Sequence, residues 1–458
     1  MQQGLLGQAH LLGDGGNAHA IKAPGGKEVL GGGDELVTGR HGWGTACLKT
    51  ASVPQGLTSY QLVGKVVTYQ LVGNAGGSTV DKQTQVELLD ELVALHASKS
   101  PFLDEHWVKV DTERYTSAPV FARERERIHR GLPQIAAHVS ALPEPGAFVT
   151  VEVVGSPLLL TRDEQGAVRA FYNVCRHRGA QLVPEAAGCK QRFSCPYHAW
   201  TWNNTGELIA VPHEKSGFPG LDRAEHGLHA LPCEVHAGWI WVNLAEGARD
   251  IDVAQHLGAM AADMEALQAQ AHSVFASATL DIPANWKLLV EGGLEAYHFR
   301  VAHRDTIAPL FLDNLSSYRS FGPHIRSILP RSTLPELSDL ETSEWSLGEH
   351  ANVLYTLFGT AQFLVQEDHF IWIQSRPQDA GNTQLVLNTM VPVADNTPER
   401  QDYWQKNHEL TVATLIEDFD LAEGIQRGLA SGARQPLNFG RFEGALEVFN
   451  RTVDAYID

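Results

Sequence analysis

Two short stretches of the 458-residue chain pair a thiol with an imidazole: Cys175-Arg176-His177 and, after 17 intervening residues, Cys195-Pro196-Tyr197-His198. Thiolates and imidazoles hold the type of iron–sulfur cluster in which two Cys bind one iron and two His the other. Each stretch supplies one residue of each kind, so two loops could clamp one cluster. Two Cys and two His can also bind zinc, and the four residues could be unrelated members of a core. Zinc fingers, however, usually pair Cys with Cys and His with His along the chain.

A second group follows about 100 residues on: Asn285-Trp286-Lys287, then Glu291, Glu295, Tyr297, His298 and His303. Glu295 and His298 are three apart, so on a helix they share a face and the carboxylate can orient the imidazole. His298 and His303 are five apart, about 140° round an ideal helix at roughly 100° per residue. Both reach one ion only if the helix is distorted or ends between them. On spacing alone, a surface helix with ordinary Glu and His residues is the stronger reading.

The elements around these groups predict how they are carried. Phe148 to Val154, Leu158 to Arg162 and Ala167 to Tyr172 alternate in β fashion about an Asp163-Glu164-Gln165-Gly166 turn, and read as hairpins. Further strands are expected at Leu208 to Val211, Gly227 to Val235 and Trp239 to Leu244. The first group of residues therefore sits in a small antiparallel domain. Beyond Asp250, apolar alternation near Ser273 to Ile282, Phe363 to Gln374 and Gln384 to Val393 precedes a helical pattern from Pro398 to about Leu429. That combination predicts an α+β domain with helices packed on an antiparallel sheet. Upstream, an amphipathic stretch starts at Thr84. The Arg/Glu-rich run Phe121 to Ile135 reads as a solvated helix, and neither stretch is expected to carry chemistry.

Cys175-Arg-His-Arg-Gly179 and Cys195-Pro-Tyr-His-Ala-Trp200 resemble the two cluster-binding loops of Rieske proteins, with Ala199 where the pattern most often has Gly. The extra methyl is expected to shift loop packing without touching a ligand. Asn285-Trp-Lys, with the later acids, Ala296-Tyr-His298 and His303, is similar to the mononuclear iron site of Rieske non-haem iron oxygenase α subunits. The two motifs stand in the family's order, and the resemblance covers about residues 100 to 430. It implies a small all-β Rieske [2Fe-2S] domain and a larger catalytic domain of helix-grip type. The expected boundaries are 1–83 for a Gly-rich extension, 84–146 for an N-terminal helical segment, 147–247 for the Rieske domain and 248–458 for the catalytic domain.

The resemblance also implies roles. Cys175, His177, Cys195 and His198 would hold the [2Fe-2S] cluster. His298, His303 and a late carboxylate would hold Fe(II), two His and one carboxylate being the triad that leaves positions open for O2 and substrate. Glu417-Asp418-Phe419, followed by Glu423 and Gln426, looks like the family's late acidic segment. Asp418 lies on the helical stripe Leu415, Ala422, Ile425 and is expected to face inward, with Glu417 and Asp420 as alternatives and a solvated acidic turn as the bland reading. Glu295 stands where most members carry an Asp that links a cluster His of one subunit to an iron His of the next. That path would run from His198 through Glu295 to His298. Glu at this place resembles the subgroup acting on quaternary ammonium compounds, although Gly292-Gly293 departs from that subgroup's usual Asn-Tyr.

The activity so implied is hydroxylation of a small organic substrate, aromatic or quaternary ammonium, by O2. Electrons would come from NAD(P)H through a flavin/iron–sulfur reductase, directly or by way of a ferredoxin, and a homotrimer is expected. A Rieske electron carrier without oxygenase activity is the alternative; it leaves His298, His303 and Asp418 unused. A zinc-stabilised ligand-binding protein is a further one.

Composition narrows the field independently. Lys and Arg number 35 and Asp and Glu 54, a net charge of -19 that repels a nucleic-acid backbone. No run approaches the roughly 18 apolar residues of a membrane span. Five cysteines in a chain without a recognisable secretory signal argue for free thiols and a reducing, cytoplasmic setting. Cys189 and Cys233 match no ligand position and are expected to be buried small apolar residues. The first 80 residues hold 18 of the 42 glycines and only four acids, and the pentad Tyr-Gln-Leu-Val-Gly occurs twice, at Tyr60 and Tyr69. This stretch reads as mostly disordered.

Overall fold

The computed structural model describes residues 80–433 and 435–458, so the Gly-rich stretch with its repeated pentad lies outside the described residues. Helix α1 (Lys82–Ser98) is capped by Asp81, whose carboxylate accepts the Thr84 N–H at 3.0 Å, and it buries Leu88, Leu89 and Leu92. Helix α2 (Ala118–Glu124) runs into a π-helical turn, Arg125–His129, and then into strand β1 (Gln134–His138), every residue of which is buried. The run from Phe121 to Ile135 is helical as far as His129, with Arg123, Arg125, Glu126 and Arg127 exposed as in a solvated helix, but it does not stay wholly in water. Glu124 is fully buried, its carboxylate accepting from Lys287 Nζ and Trp286 Nε1. A charged run stays in water unless a partner distant in sequence meets it, and here one does.

Strands β2 (Ala147–Val153), β3 (Ser156–Arg162) and β4 (Val168–Tyr172) form the expected hairpins. The turn between β3 and β4 is fixed by the buried Asp163 carboxylate, which accepts the N–H groups of Gln165 and Ala167 at 3.0 and 2.9 Å and Arg169 Nε at 2.8 Å. Strands β5 (Ala187–Cys189), β6 (Arg192–Ser194), β7 (Thr201–Asn203), β8 (Leu208–Ala210), β9 (Ala230–Leu231), β10 (Cys233–His236) and β11 (Trp239–Val242) complete three small antiparallel sheets. Their orders are β9-β4-β3-β2-β5, β6-β7-β8 and β10-β11-β1. Cys175 and Cys195 lie in one core with Phe148, Phe171, Trp200 and Trp202. Cys189, expected to be buried, is exposed, because the short β5 sits at the edge of its sheet. Cys233 is half-buried, and burial pushes its thiol up to about 12.

The second half is built on one seven-stranded antiparallel sheet. Its strands are β12 (His272–Ile282), then, after helices α3 (Trp286–Gly292) and α4 (Phe299–Ala302), β13 (Ser317–Phe321), β14 (His324–Pro330), β15 (Ala351–Leu357), β16 (Ala361–Val365), β17 (Phe370–Asp379) and β18 (Asn382–Pro392). The order is β12-β18-β17-β16-β15-β14-β13. The stretch Phe363 to Gln374, read as one alternating segment, is a β16–β17 hairpin closed by Gln366 N–H to His369 O at 2.9 Å. Successive residues point to opposite faces. On β17, Phe370 and Trp372 join α1 and β11 on one side, whereas Ile371 and Ile373 meet α3 and the long helix α5 (Gln401–Ala430) and helix α6 (Gly444–Ile457) on the other. A sheet buried on both faces, with the helices carrying His298, His303 and Asp418 on one of them, is the α+β arrangement expected. No helix among the described residues is long and apolar enough to cross a membrane.

Candidate metal centres

The two Cys/His loops share one backbone design. In the first, Gly179 N–H donates to Cys175 O at 3.0 Å and Cys175 N–H to Ala180 O at 2.8 Å. In the second, Ala199 N–H donates to Cys195 O at 2.9 Å and Cys195 N–H to Trp200 O at 2.8 Å. The fifth residue of each loop is left-handed, Gly179 at φ 73° and Ala199 at φ 56°. This explains the family preference for Gly at the second place. The expected packing shift from the Ala199 methyl is not what the loop shows: the residue is exposed, and the methyl's cost is conformational.

The loops bring four donors together. The His177 and His198 rings lie 4.7 Å apart between centroids, and Trp200 stacks on His177 at 5.0 Å. Burial pushes the Cys175 thiol up, as does the neighbouring Cys195 sulfur, while the N–H groups of His177 and Arg178 favour its thiolate. Nδ1 of His177 is buried with no hydrogen-bond partner. A bare imidazole nitrogen beside two adjacent buried sulfurs suits a sulfide-bridged iron pair. His198 and Tyr197 are exposed, so this edge of the domain faces outward.

At the second site the residues are placed by the start of α3 and by a break after it. Asn285 caps α3 by accepting Lys287 N–H at 3.0 Å, and its own N–H is taken by Gln426 Oε1 at 3.0 Å. The Gly292-Gly293 pair ends the helix where it meets the sheet: a Cβ on Gly293 would lie 3.0 Å from Leu354 Cδ2 and 3.2 Å from Gln362 Nε2. Helix α4 is a single turn, with His298 at its N-terminal cap and His303 at its C-terminal cap. The helix does end at the two histidines, which is the condition their spacing demanded.

His298, His303 and Asp418 each bring one ligand atom within 4.8 Å of the others. Asp418 Oδ1 is 3.0 Å from His303 Nε2 and 3.4 Å from His298 Nε2. His298 Nε2 is buried without a hydrogen bond, while its Nδ1–H donates to Glu295, which also accepts the N–H groups of Tyr297 and His298. Burial pulls the His298 imidazole down, but Asp418 and Glu295 more than offset it and push it up to about 10. Burial likewise raises the Asp418 carboxyl, and the two imidazoles outweigh that and hold it below the usual carboxylate range. A site that draws in a proton so strongly is one in which a cation is stabilised, and a divalent ion fits the two-His, one-carboxylate donor set.

Of the alternatives to Asp418, Asp420 is exposed, and Glu417 turns to the far side of His303, accepting Nδ1–H at 2.8 Å and the Thr306 hydroxyl at 2.7 Å. The predicted stripe on α5 needs one correction. Ala422 is buried but Ile425 is 46% exposed, and Gln426 takes the inward place, accepting Asn285 N–H. Sequence reasoning also missed the Glu124–Lys287 pair, Thr306, and Glu443, whose carboxyl is raised by burial and by the nearby Glu295. No spacing signal marked these.

A cluster-binding β domain joined to a helix-on-sheet domain with a two-His, one-carboxylate site defines a two-centre iron oxygenase. Residues 133–236 match the Rieske [2Fe-2S] domain and residues 270–458 the ring hydroxylating alpha subunit catalytic domain. The chain belongs to the Rieske non-haem iron oxygenase α subunits, and so carries a [2Fe-2S] cluster and a mononuclear iron fed by a reductase. It is 33% identical to the carnitine monooxygenase oxygenase subunit of Acinetobacter pittii over 337 residues, 69% of this chain and 84% of that one. With the glycine betaine monooxygenase oxygenase subunit of Pseudomonas aeruginosa it shares 30% over 371 residues, 72% and 85% of the two chains. Among solved structures, the apo form of a quaternary ammonium Rieske monooxygenase superposes with a TM-score of 0.63 at 25% identity, covering 79% of this chain and 97% of that one. Naphthalene 1,2-dioxygenase shares the fold at a TM-score of 0.62 and 19% identity, covering 76% and 92%.

Proposed function

We propose that this α subunit hydroxylates a small quaternary ammonium compound of the carnitine or betaine type, with Cys175, His177, Cys195 and His198 holding the cluster and His298, His303 and Asp418 the iron. The observation that carries the ligand set is the convergence of those three side chains around one point, with a buried His298 Nε2 that makes no hydrogen bond and faces Asp418. When bound, the mononuclear ferrous ion supplies open positions at which O2 can be reduced beside the substrate, and the cluster passes it single electrons. The chain's own residues prepare that centre. Glu295 holds the Nδ1 proton of His298, so Nε2 is the nitrogen at which an ion would displace a proton.

Two observations support a substrate that carries a fixed positive charge. The relatives named above include carnitine and glycine betaine monooxygenase subunits. Residues 248–458 carry 29 Asp and Glu against 14 Lys and Arg, and Glu295, Glu417, Asp418 and Glu443 gather about the iron ligands. Such a field favours the trimethylammonium end of such a compound over an aromatic acid that carries no positive charge.

Glu295 is the relay acid in this reading, and the active form is a ring of subunits, a homotrimer, in the cytoplasm. None of the Glu295 hydrogen bonds described within one chain goes to a cluster loop, whereas His198 and Tyr297 are both exposed. In this reading a second chain joins them. The test is O2 uptake with a reductase and NADH across L-carnitine, glycine betaine, choline, benzoate and phenylpropionate. Coupled uptake with a trimethylammonium compound is expected; uptake with the aromatic acids alone would remove the substrate assignment.

A further inference from the structure

Two consecutive acids on α5 meet the same imidazole from opposite sides. Asp418 Oδ1 lies 3.0 Å from His303 Nε2, and Glu417 Oε2 lies 2.8 Å from Nδ1 of the same ring. A carboxylate can only accept, so Nδ1 donates its proton to Glu417, and Nε2, beside Asp418, is the nitrogen that would give up its proton to an ion held between them. The Thr306 hydroxyl donates to the same Glu417 oxygen at 2.7 Å, and Thr306 N–H donates to His303 O at 3.0 Å. Thr306 thus ties the acid, the ring and the turn after α4 into one unit. The arrangement repeats on the other histidine, whose Nδ1–H goes to Glu295 while its Nε2 faces Asp418.

We propose that Glu417 is a positioning residue of the iron centre: it holds the Nδ1 proton of His303 and so presents Nε2 to the ion on the Asp418 side, with Thr306 aiming the carboxylate. The proposal rests on the ligand set His298, His303 and Asp418. It gives the adjacent acids separate work, Asp418 on the ion and Glu417 behind the imidazole. A carboxylate behind a metal-bound histidine fixes its ring and raises its basicity, and losing one typically weakens metal affinity by 10–100-fold.

The test uses the full chain with its cluster retained and the mononuclear site stripped, titrated with Co(II) by calorimetry. In parallel, the Fe(II)-loaded protein is treated with nitric oxide and its electron paramagnetic resonance recorded. Glu417→Leu should weaken Co(II) binding roughly 10–100-fold and alter the nitric oxide signal, with the cluster spectrum unchanged. Glu417→Gln keeps an acceptor at the same reach and should stay near wild type. Glu417→Asp keeps the charge but withdraws the acceptor by one methylene, and should lose affinity. Thr306→Val should show a smaller loss. Wild-type Co(II) affinity and an unaltered nitric oxide signal in Glu417→Leu overturn the proposal. If that variant does not fold, the remaining pair decides: Gln impaired and Asp intact would show that charge acts, not the hydrogen bond. Asp418→Ala serves as the reference, since full Co(II) affinity in that variant would refute the ligand set itself.

Discussion

Lys287 and Glu124, 163 positions apart in sequence, form an ion pair in which both side chains are fully buried. Glu124 also accepts Trp286 Nε1 at 2.9 Å, so the helix that leads to His298 and His303 is pinned to α2 by two residues of its first turn. Removing one partner of a buried pair strands the other charge, which typically costs about 3–5 kcal/mol. Lys287→Met should lower stability in urea by that order, and Lys287→Met with Glu124→Gln should recover much of it. A single variant within about 1 kcal/mol of wild type would mean that Glu124 finds water or a proton instead.

Glu295 and Asp418 touch the same imidazole at different atoms, and their removal should have different consequences. Glu295→Gln keeps an acceptor for His298 Nδ1–H and should retain iron and cluster while turnover falls by orders of magnitude. Asp418→Ala should retain the cluster's colour and lose the mononuclear iron. Iron and acid-labile sulfide per chain, with coupled O2 uptake, distinguish these outcomes. Normal coupled activity in Glu295→Gln would sink its relay role.

Ala199 holds the left-handed place that Gly179 holds in the other loop, at φ 56° against 73°. For a residue with a Cβ that conformation costs roughly 1–2 kcal/mol. Because Ala199 is exposed, no packing is lost by removing its methyl. Ala199→Gly should therefore stabilise the protein by about 1 kcal/mol with the cluster's absorption spectrum unchanged, the gain being partly offset by backbone entropy. A destabilised variant would show that the methyl makes a contact the exposed position does not suggest.

Acid stability should depend on His256. Burial holds its imidazole down at about 3, helped by the adjacent His324 ring 5.0 Å away. The unfolded chain takes up this proton near pH 6.5 and the folded chain only near 3, so the unfolded state binds more protons in between. Stability from this group is full above 6.5 and is lost as pH falls toward 3, by on the order of a few kcal/mol. Unfolding in urea from pH 7 to 4 should show a shallower decline for His256→Gln than for wild type. Parallel profiles would assign the acid sensitivity elsewhere, His129 being the next group, held down at about 4 by burial.

Features that depend on residue type at short spacing were legible in the chain before it folds. The two Cys/His loops are local: each closes on its own backbone within six residues, so Cys175, His177, Cys195 and His198 could be read in order. The hairpins about Asp163 and the long helix up to Ala430 followed from turn chemistry and periodicity. The pair His298 and His303 posed a geometric condition that a one-turn helix meets. Tertiary structure alone decided the rest, because it rests on partners far apart in the chain. It set which of two neighbouring acids faces His303 Nε2, since the turn of α5 about its axis depends on Gln426 reaching Asn285. It also took Glu124 from an apparently solvated run into the core, because only folding brings Lys287 to it, and a buried charge is stable only when so paired.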